Sequence, residues 1–255
     1  MAINFLMTNK IKNIIKKIVF RFIRPSIQYR DIINTYAQAG EDSILTLLFC
    51  SFKIFTPTYI DIGANRPDSG SNTYLFYLRG SRGICVEPDK NLFENFIKAR
   101  PLDKCLNIAV GYNDDKELDF FVFDEPSVNT LSKKDAQKRI VGGEFKHIDT
   151  IKVPVKKLEE VIKENCVTLP DFISLDVEGV DHEVLKAFDF DAYPIPVWVV
   201  ETVDYSPHPQ KIKNNLIIEL MQSKNYFVYA DTYINTIFVL KEWYDNYRLE
   251  NIATL

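Results

Sequence analysis

Residues 57–65 read PTYIDIGAN, and the stretch changes from strand-forming to turn-forming residues within a few positions. Tyr59 and Ile60 favour a β-strand, whereas Asp61 interrupts the apolar run and the small residues that follow favour a turn. Gly63 lets the backbone approach a ligand closely, and Asp61 can organise the turn or accept hydrogen bonds from a cationic group. The stretch therefore predicts a buried strand that ends against a ligand.

Beyond this stretch, short β-rich runs alternate with helical ones. This alternation is typical of βαβ units and predicts an α/β fold with a mainly parallel sheet. Strands are predicted at about 57–62, 83–88, 105–110, 171–177 and 195–202. Two extra strands, KELDFFVF and IDTIKVPV, flank a polar segment at 124–147 that is predicted to be a mobile loop or lid. NYFVYADT and INTIFVLKEW are predicted to form an antiparallel hairpin that closes the sheet.

Composition excludes several classes of protein. Hydrophobic residues make up 46% of the chain, enough for a sizeable core, and 26% are charged, with a formal net charge of −4. This balance argues against disorder and against a nucleic-acid-binding protein. The four cysteines, none in a CxxC motif, are predicted to be reduced residues of a cytoplasmic protein: Cys50, Cys85, Cys105 and Cys166. We find no membrane-spanning run and no signal-peptide pattern.

The N-terminal part differs from the rest of the chain. Residues 1–30 contain seven Lys or Arg and no Asp or Glu, and their isoleucine, valine and phenylalanine residues recur at helical spacing. We therefore predict a basic amphipathic helical segment over 1–35, followed by one domain over 36–255 that begins with a helix at GEDSILTLLFCSF. The segment can lie on an anionic membrane, or it can pack on the sheet or on a second subunit.

Polar residues collect at the predicted carboxyl ends of the strands, where open α/β sheets bind their ligands. They are Asp61, Gly63, Asn65, Glu87, Asn107, Asp176, Glu178 and Glu201. Glu87, at the tip of the second strand, is placed to accept both hydroxyls of a ribose. Because the first turn lacks GxGxxG, a nucleoside without phosphates is favoured over a dinucleotide.

Several motifs occur together, in order, over residues 36–240: YAQAGEDSIL, YIDIGANRPDSGSNTYLFY, RGICVEPDKNLFENF, NIAVG, FISLDVEGVDHEVLKAFD and YINTIFVL. Jointly they resemble the FkbM-type S-adenosylmethionine-dependent methyltransferases. The resemblance implies S-adenosyl-L-methionine as cofactor. It also implies the Rossmann-like class I methyltransferase sheet of seven strands, mostly parallel with an antiparallel last strand, here with added N-terminal helices.

The resemblance also implies roles for individual residues. Asp61, Gly63 and Asn65 would line the methionine end of the cofactor, Glu87 would hold its ribose, and Asn107 with Ala109 would lie near the adenine. Gln38, Glu41 and Asp42 would close over the site from the preceding helix. The chain departs from the family pattern at DVEGVDHE, where many relatives read DVEGHE, and this departure places His182 differently.

Methyl transfer from a sulfonium is an in-line displacement, so the protein must position an acceptor atom and remove its proton. Asp176, Glu178 and Glu201 are predicted at neighbouring strand tips, where they can provide a base. Alternatively, Asp176 and Glu201 can hold a divalent cation that orients a hydroxyl. His182 is a further catalytic candidate, although helix capping or surface exposure explains it equally well.

The family acts on hydroxyls of sugars and of secondary metabolites, so the resemblance implies O-methylation. The composition, rich in lysine, isoleucine and asparagine, favours a bacterial source, and a sugar of a surface glycan suits the basic N-terminal segment. Two other functions remain open. A nicotinamide-dependent oxidoreductase would share the sheet and Glu87 but should show a glycine-rich phosphate turn. A non-catalytic binding protein could use the same scaffold.

Overall fold

The computed structural model describes residues 35–204 and 212–252. Its strands, in chain order, are β1 Tyr59–Ile62, β2 Gly83–Val86, β3 Lys104–Leu106, β4 Ala109–Gly111, β5 Glu117–Phe123, β6 His147–Lys157, β7 Phe172–Leu175, β8 Val197–Glu201, β9 Val203–Asp204, β10 Ile212–Lys213, β11 Tyr226–Asp231 and β12 Asn235–Leu240. Its α-helices are α1 Glu41–Ser51, α2 Tyr74–Leu78, α3 Lys90–Ala99, α4 Lys133–Gly142, α5 Leu158–Asn165, α6 Asp181–Ala187, α7 Asn215–Ser223 and α8 Lys241–Ile252.

The central sheet has seven strands in the order β3-β2-β1-β7-β8-β12-β11. The five strands from β3 to β8 pair in parallel, whereas β12 is antiparallel to both of its neighbours. This arrangement confirms the predicted class I methyltransferase sheet and the predicted C-terminal hairpin. Strand order reverses between β1 and β7, so the ligand-binding crevice is expected at the carboxyl ends of these two strands.

Helices cover both faces of the sheet because successive side chains of a strand point to opposite sides. Ile60 and Ile62 of β1 join an apolar core that includes residues of α5, α6 and α7. Tyr59, on the opposite face, packs in a second core with Phe49 of α1 and Phe96 of α3. These two cores fix the edge of the sheet at which β1 and β7 end.

The predicted strand at 105–110 is two strands. Its first part, β3, pairs with β2 in the central sheet, and its second part, β4, pairs with β6 in a smaller sheet of order β4-β6-β5. Asn107 lies between them, and its Nδ2 donates to the backbone oxygens of Glu87 and Pro88, each at 2.9 Å. The chain therefore leaves the central sheet at Asn107, which corrects the sequence prediction.

The polar segment predicted to be a loop contains a helix, so that prediction was wrong for residues 133–142. α4 begins after Ser132, whose hydroxyl accepts the backbone N–H of Asp135 at 3.2 Å, and ends at Gly143 with φ +67°. A serine followed three residues later by an acid is a helix-start signal, and a glycine just past the helix is a stop signal. Both signals are present in the sequence.

The predicted basic amphipathic helix lies outside the described residues, so its membrane contact and the boundary at residue 35 stay predictions. Over residues 35–204 and 212–252, no helix combines the length and apolar character needed to cross a membrane. The four cysteines are free, as predicted from their spacing.

Candidate functional site

Gly63, in the turn after β1, lies against the carboxyl ends of the two neighbouring strands, β2 and β7. Its backbone N–H donates to the oxygen of Val86 at 3.0 Å, and its φ is +70°. A Cβ at this position would lie 1.7 Å from the backbone oxygen of Asp176, which follows β7. Glycine is therefore required because two backbones meet, not only because a ligand approaches.

Glu87 joins the loops after β1 and β2. Its Oε2 accepts the backbone N–H of Asn65, and its Oε1 accepts that of Asp89, both at 2.8 Å. Each oxygen keeps a second lone pair that can accept a ribose hydroxyl. Burial raises the pKa of Glu87 to about 8, although the two backbone donors act to lower it. With its pKa raised in this way, the Glu87 carboxyl gains a proton more readily near neutral pH than an exposed glutamate does.

A narrow pocket of about 50 Å³ opens between these strand ends. Its lining includes six of the predicted site residues: Gly63, Asn65, Glu87, Ala109, Asp176 and Glu178. Apolar side chains such as Val110 and Phe120 complete it, as an adenine ring would require, and Pro126, Ser127, Asn129 and Leu131 also line it. Small-molecule pockets usually measure roughly 300–1,000 Å³. The pocket is therefore smaller than a nucleoside requires.

Asp61 lies under the turn and does not line this pocket. Its carboxylate accepts the hydroxyl of Thr73 and lies 3.9 Å from the buried guanidinium of Arg100. Burial raises the pKa of Asp61 to about 6, and the charge of Arg100 opposes this rise. The side chain thus connects β1 to the start of α2 and to Arg100, and its direct contact with a cofactor stays a prediction. Asn107 likewise supports the pocket through the loop at Glu87 and Pro88.

The structure places the two acids of QAGED in buried contacts. Glu41 accepts hydrogen bonds from Thr232 Oγ1 at 2.6 Å and from Asn235 Nδ2 at 2.9 Å. Asp42 accepts the hydroxyl of Thr35 at 2.6 Å and the backbone N–H of Tyr36 at 2.7 Å. These bonds tie the start of α1 to the β11–β12 hairpin and to the preceding segment. Neither acid lines the narrow pocket, and their predicted cofactor role is untested.

Three predicted catalytic carboxylates meet where the strands end. Asp176, Glu178 and Glu201 each place one oxygen within 4.8 Å of the oxygens of the other two. Glu178 has a left-handed backbone with φ +51°, and its carboxylate forms an ion pair of 2.7 Å with Arg139 of α4. Strained backbone conformations cluster at functional sites. The cluster thus combines three acids with one guanidinium that the sequence analysis did not single out.

Asp181, the other residue that the sequence analysis did not single out, stabilises the turn between β7 and α6. Its carboxylate accepts the backbone N–H groups of Val177 at 3.0 Å and Gly179 at 3.2 Å. Burial, followed by the charge of Asp176, raises the pKa of Asp181 to about 7. DVEGVDHE departs from the family pattern by two residues, Val180 and Asp181. Asp181 is thus a buried acid beside the catalytic candidates. Acids are common in the first turn of a helix, so the position of Asp181 at the start of α6 is the signal that could have identified this residue.

A larger cavity of about 870 Å³ shares Glu178 with the narrow pocket. Glu201 and the half-buried His182 line it, as does the exposed Gln38. The lysines of α4 and Arg139 form another part of its lining. The structure thus brings a narrow pocket, an acidic cluster and a larger cavity to one sheet edge.

The Methyltransferase FkbM domain model matches residues 61–241. No curated protein matches the chain. Similar solved structures include a TehB-like SAM-dependent methyltransferase from Corynebacterium glutamicum. The two sequences are 11% identical, the match covers 91% of this chain and 100% of that chain, and the TM-score is 0.40. They also include the O-methyltransferase from Bacillus cereus in complex with SAH. The sequences are 12% identical, the match covers 94% of each chain, and the TM-score is 0.38. Structural similarity this low shows nothing of the present chain's activity.

Proposed function

Because the chain belongs to the FkbM methyltransferase family, we propose that it transfers a methyl group from S-adenosyl-L-methionine to a hydroxyl of an acceptor. We propose a sugar of a bacterial surface glycan, or a secondary metabolite, as that acceptor. The observation that carries the proposal is the position of Glu178, which lines both the narrow pocket and the large cavity. A cofactor in the first and an acceptor in the second would meet at Glu178, whose carboxylate neighbours those of Asp176 and Glu201.

When bound, S-adenosylmethionine supplies an electrophilic methyl group. The protein then needs to align the acceptor oxygen and take its proton. Asp176 and Glu201 are the proposed proton acceptors, because Glu178 already shares its charge with Arg139 at 2.7 Å. Arg139 holds Glu178 in place, and apolar lining residues such as Phe120 and Leu131 would exclude water from the reacting atoms.

Calorimetric titration with S-adenosylmethionine and with NADH tests the proposal directly. We expect binding of the first and none of the second. Release of S-adenosylhomocysteine is then measured over a panel of sugars and other hydroxylated acceptors. Binding of NADH alone would favour an oxidoreductase. Cofactor binding without release over the whole panel would favour a non-catalytic protein on this scaffold.

Cofactor affinity is expected to depend on pH through Glu87. Ribose hydroxyls donate to the ionised carboxylate, whereas burial raises the pKa of Glu87 to about 8. Below this pKa, binding to the ionised form releases a proton, so affinity should rise by roughly tenfold per pH unit between about pH 6 and about pH 7 and level off above about pH 9. Calorimetry across this range checks the expectation. Glu87→Gln is the matched control. This variant should bind S-adenosylmethionine more weakly and lose this part of the pH dependence. Identical pH profiles for the variant and the wild type would contradict the role of Glu87.

Chelation is expected to leave the activity intact. Three carboxylate oxygens within 4.8 Å can each supply one ligand to a divalent cation, with acceptor hydroxyls and water completing its shell. However, the guanidinium of Arg139 already balances Glu178. We therefore expect full turnover after treatment with EDTA and dialysis into metal-free buffer. Loss of turnover that magnesium restores would instead show that Asp176, Glu178 and Glu201 hold a cation.

A further inference from the structure

We propose that the large cavity takes an acceptor with an anionic group, a phosphate or a carboxylate, which Lys133 and Lys134 of α4 bind. The inference rests on the proposed methyl transfer and specifies the class of its acceptor. Both lysines line the cavity that also contains Glu178 and Glu201. The cavity therefore has a basic part on α4 and an acidic part at the strand ends.

The basic part is unusual for this protein. The chain has a formal net charge of −4, yet residues 133–139 read KKDAQKR, with four cations and one acid. Two of these cations are already balanced, since Lys138 pairs with Asp135 at 2.7 Å and Arg139 pairs with Glu178 at 2.7 Å. Lys133 and Lys134 are exposed and form no ion pair with any residue in the described ranges. Lys133 and Lys134 therefore add positive charge to one side of a cavity whose other charged lining residues include Glu144, Asp181 and Glu183.

Helix stability does not explain these two lysines. They occupy the first turn of α4, where the helix dipole disfavours positive charge. The side of α4 that packs on the protein presents Asp135, Ala136 and Arg139 instead, which are buried. Solvated lysines are common on convex surfaces, but Lys133 and Lys134 line a concave cavity of about 870 Å³. An anionic ligand would compensate the unfavourable position of both charges.

The charge separation also orients the acceptor. Glu178 and Glu201 repel an anionic group, whereas Lys133 and Lys134 attract it. A hydroxyl elsewhere on the same molecule then faces the carboxylates, which can accept its proton. A neutral acceptor would gain nothing from the lysines, so discrimination between charged and neutral sugars is the measurable consequence.

Matched pairs of probes test the inference by calorimetry on the full chain with S-adenosylhomocysteine present. We expect glucose 1-phosphate to bind more tightly than methyl glucoside, and galacturonate more tightly than galactose. The double variant Lys133→Gln/Lys134→Gln should weaken the binding of the charged probes roughly tenfold and leave the neutral ones unchanged. Raising the salt concentration should weaken the binding of glucose 1-phosphate and galacturonate but not that of the two neutral sugars. Lys98→Gln/Lys163→Gln, which removes two exposed helical lysines elsewhere, should change nothing.

The outcomes separate this inference from the proposed function. If S-adenosylmethionine does not bind, the proposed function fails. If it binds, but neither charged probe binds better than its neutral partner or the double variant has no effect, only the inference is overturned. Inorganic phosphate that binds as tightly as glucose 1-phosphate would reduce the lysines to a general anion site and overturn the acceptor role. Lysine-dependent binding to anionic vesicles, without binding of the charged sugars, would overturn it in favour of a membrane contact.

Discussion

Replacing Gly63 by alanine is expected to destabilise the protein by at least about 4 kcal/mol. A left-handed φ of +70° alone costs a non-glycine residue about 1 kcal/mol, but here the added Cβ would lie 1.7 Å from the backbone oxygen of Asp176. Because the obstacle is backbone, no side-chain rotation relieves it, and β1 must separate from β7. The free energy of unfolding in urea measures the effect.

Gly143 supplies a matched control within the same chain. Its φ is +67°, and nothing lies within 4 Å of the Cβ that alanine would add. Gly143→Ala therefore carries the conformational cost without the clash, and we expect a loss of only about 1 kcal/mol. Equal losses at the two positions would show that the contact between Gly63 and Asp176 does not limit stability.

Replacing Asp176 by asparagine is expected to lower turnover about a hundredfold or more while the fold and cofactor binding survive. The amide has nearly the same shape as the carboxylate but cannot take the acceptor's proton. It also removes one negative charge beside Asp181, whose pKa of about 7 reflects burial and the charge of Asp176. The pKa of Asp181 should therefore fall in the variant. Release of S-adenosylhomocysteine gives the rate, and calorimetry gives cofactor affinity.

Asp119→Asn is the control for this substitution. Asp119 is an exposed acid of β5 that pairs with Lys152 at 2.8 Å, and its side chain lines neither the pocket nor the cavity. It should retain normal turnover. If Asp176→Asn also retains normal turnover, Asp176 is not the base, and Glu201 becomes the remaining carboxylate to test by the same pair of measurements.

Much of the fold could be predicted because local signals and global topology agree. PTYIDIGAN, GICVEP and DFISLDV each combine β-forming residues with a polar end, and β1, β2 and β7 lie side by side in the central sheet. The antiparallel β12 could be predicted because two apolar runs are separated by a short turn in the sequence. Parallel strands of this kind are buried on both faces, so their apolar runs are continuous and easily recognised.

The parts that escaped prediction depend on contacts between distant residues. CLNIAV is a continuous β-forming run, and its division into β3 and β4 is set by Asn107, which bonds to the loop after β2. Arg139 could not be assigned to Glu178 because 39 residues separate them. The partners of the buried Glu41 and Asp42, Thr232 and Tyr36 among them, likewise could not be identified from the sequence. Buried polar groups must find partners, and sequence alone does not identify those partners.

The bonds from Glu41 to Thr232 and Asn235 also bear on how the protein forms during synthesis. They join residues that are 191 and 194 positions apart, and β12 inserts between β8 and β11. Until the ribosome has released residues 235–240, β8 is an exposed edge strand and Glu41 lacks both partners. Nascent chains at this stage offer an open edge to other chains, so chaperones would act mainly on this late interval.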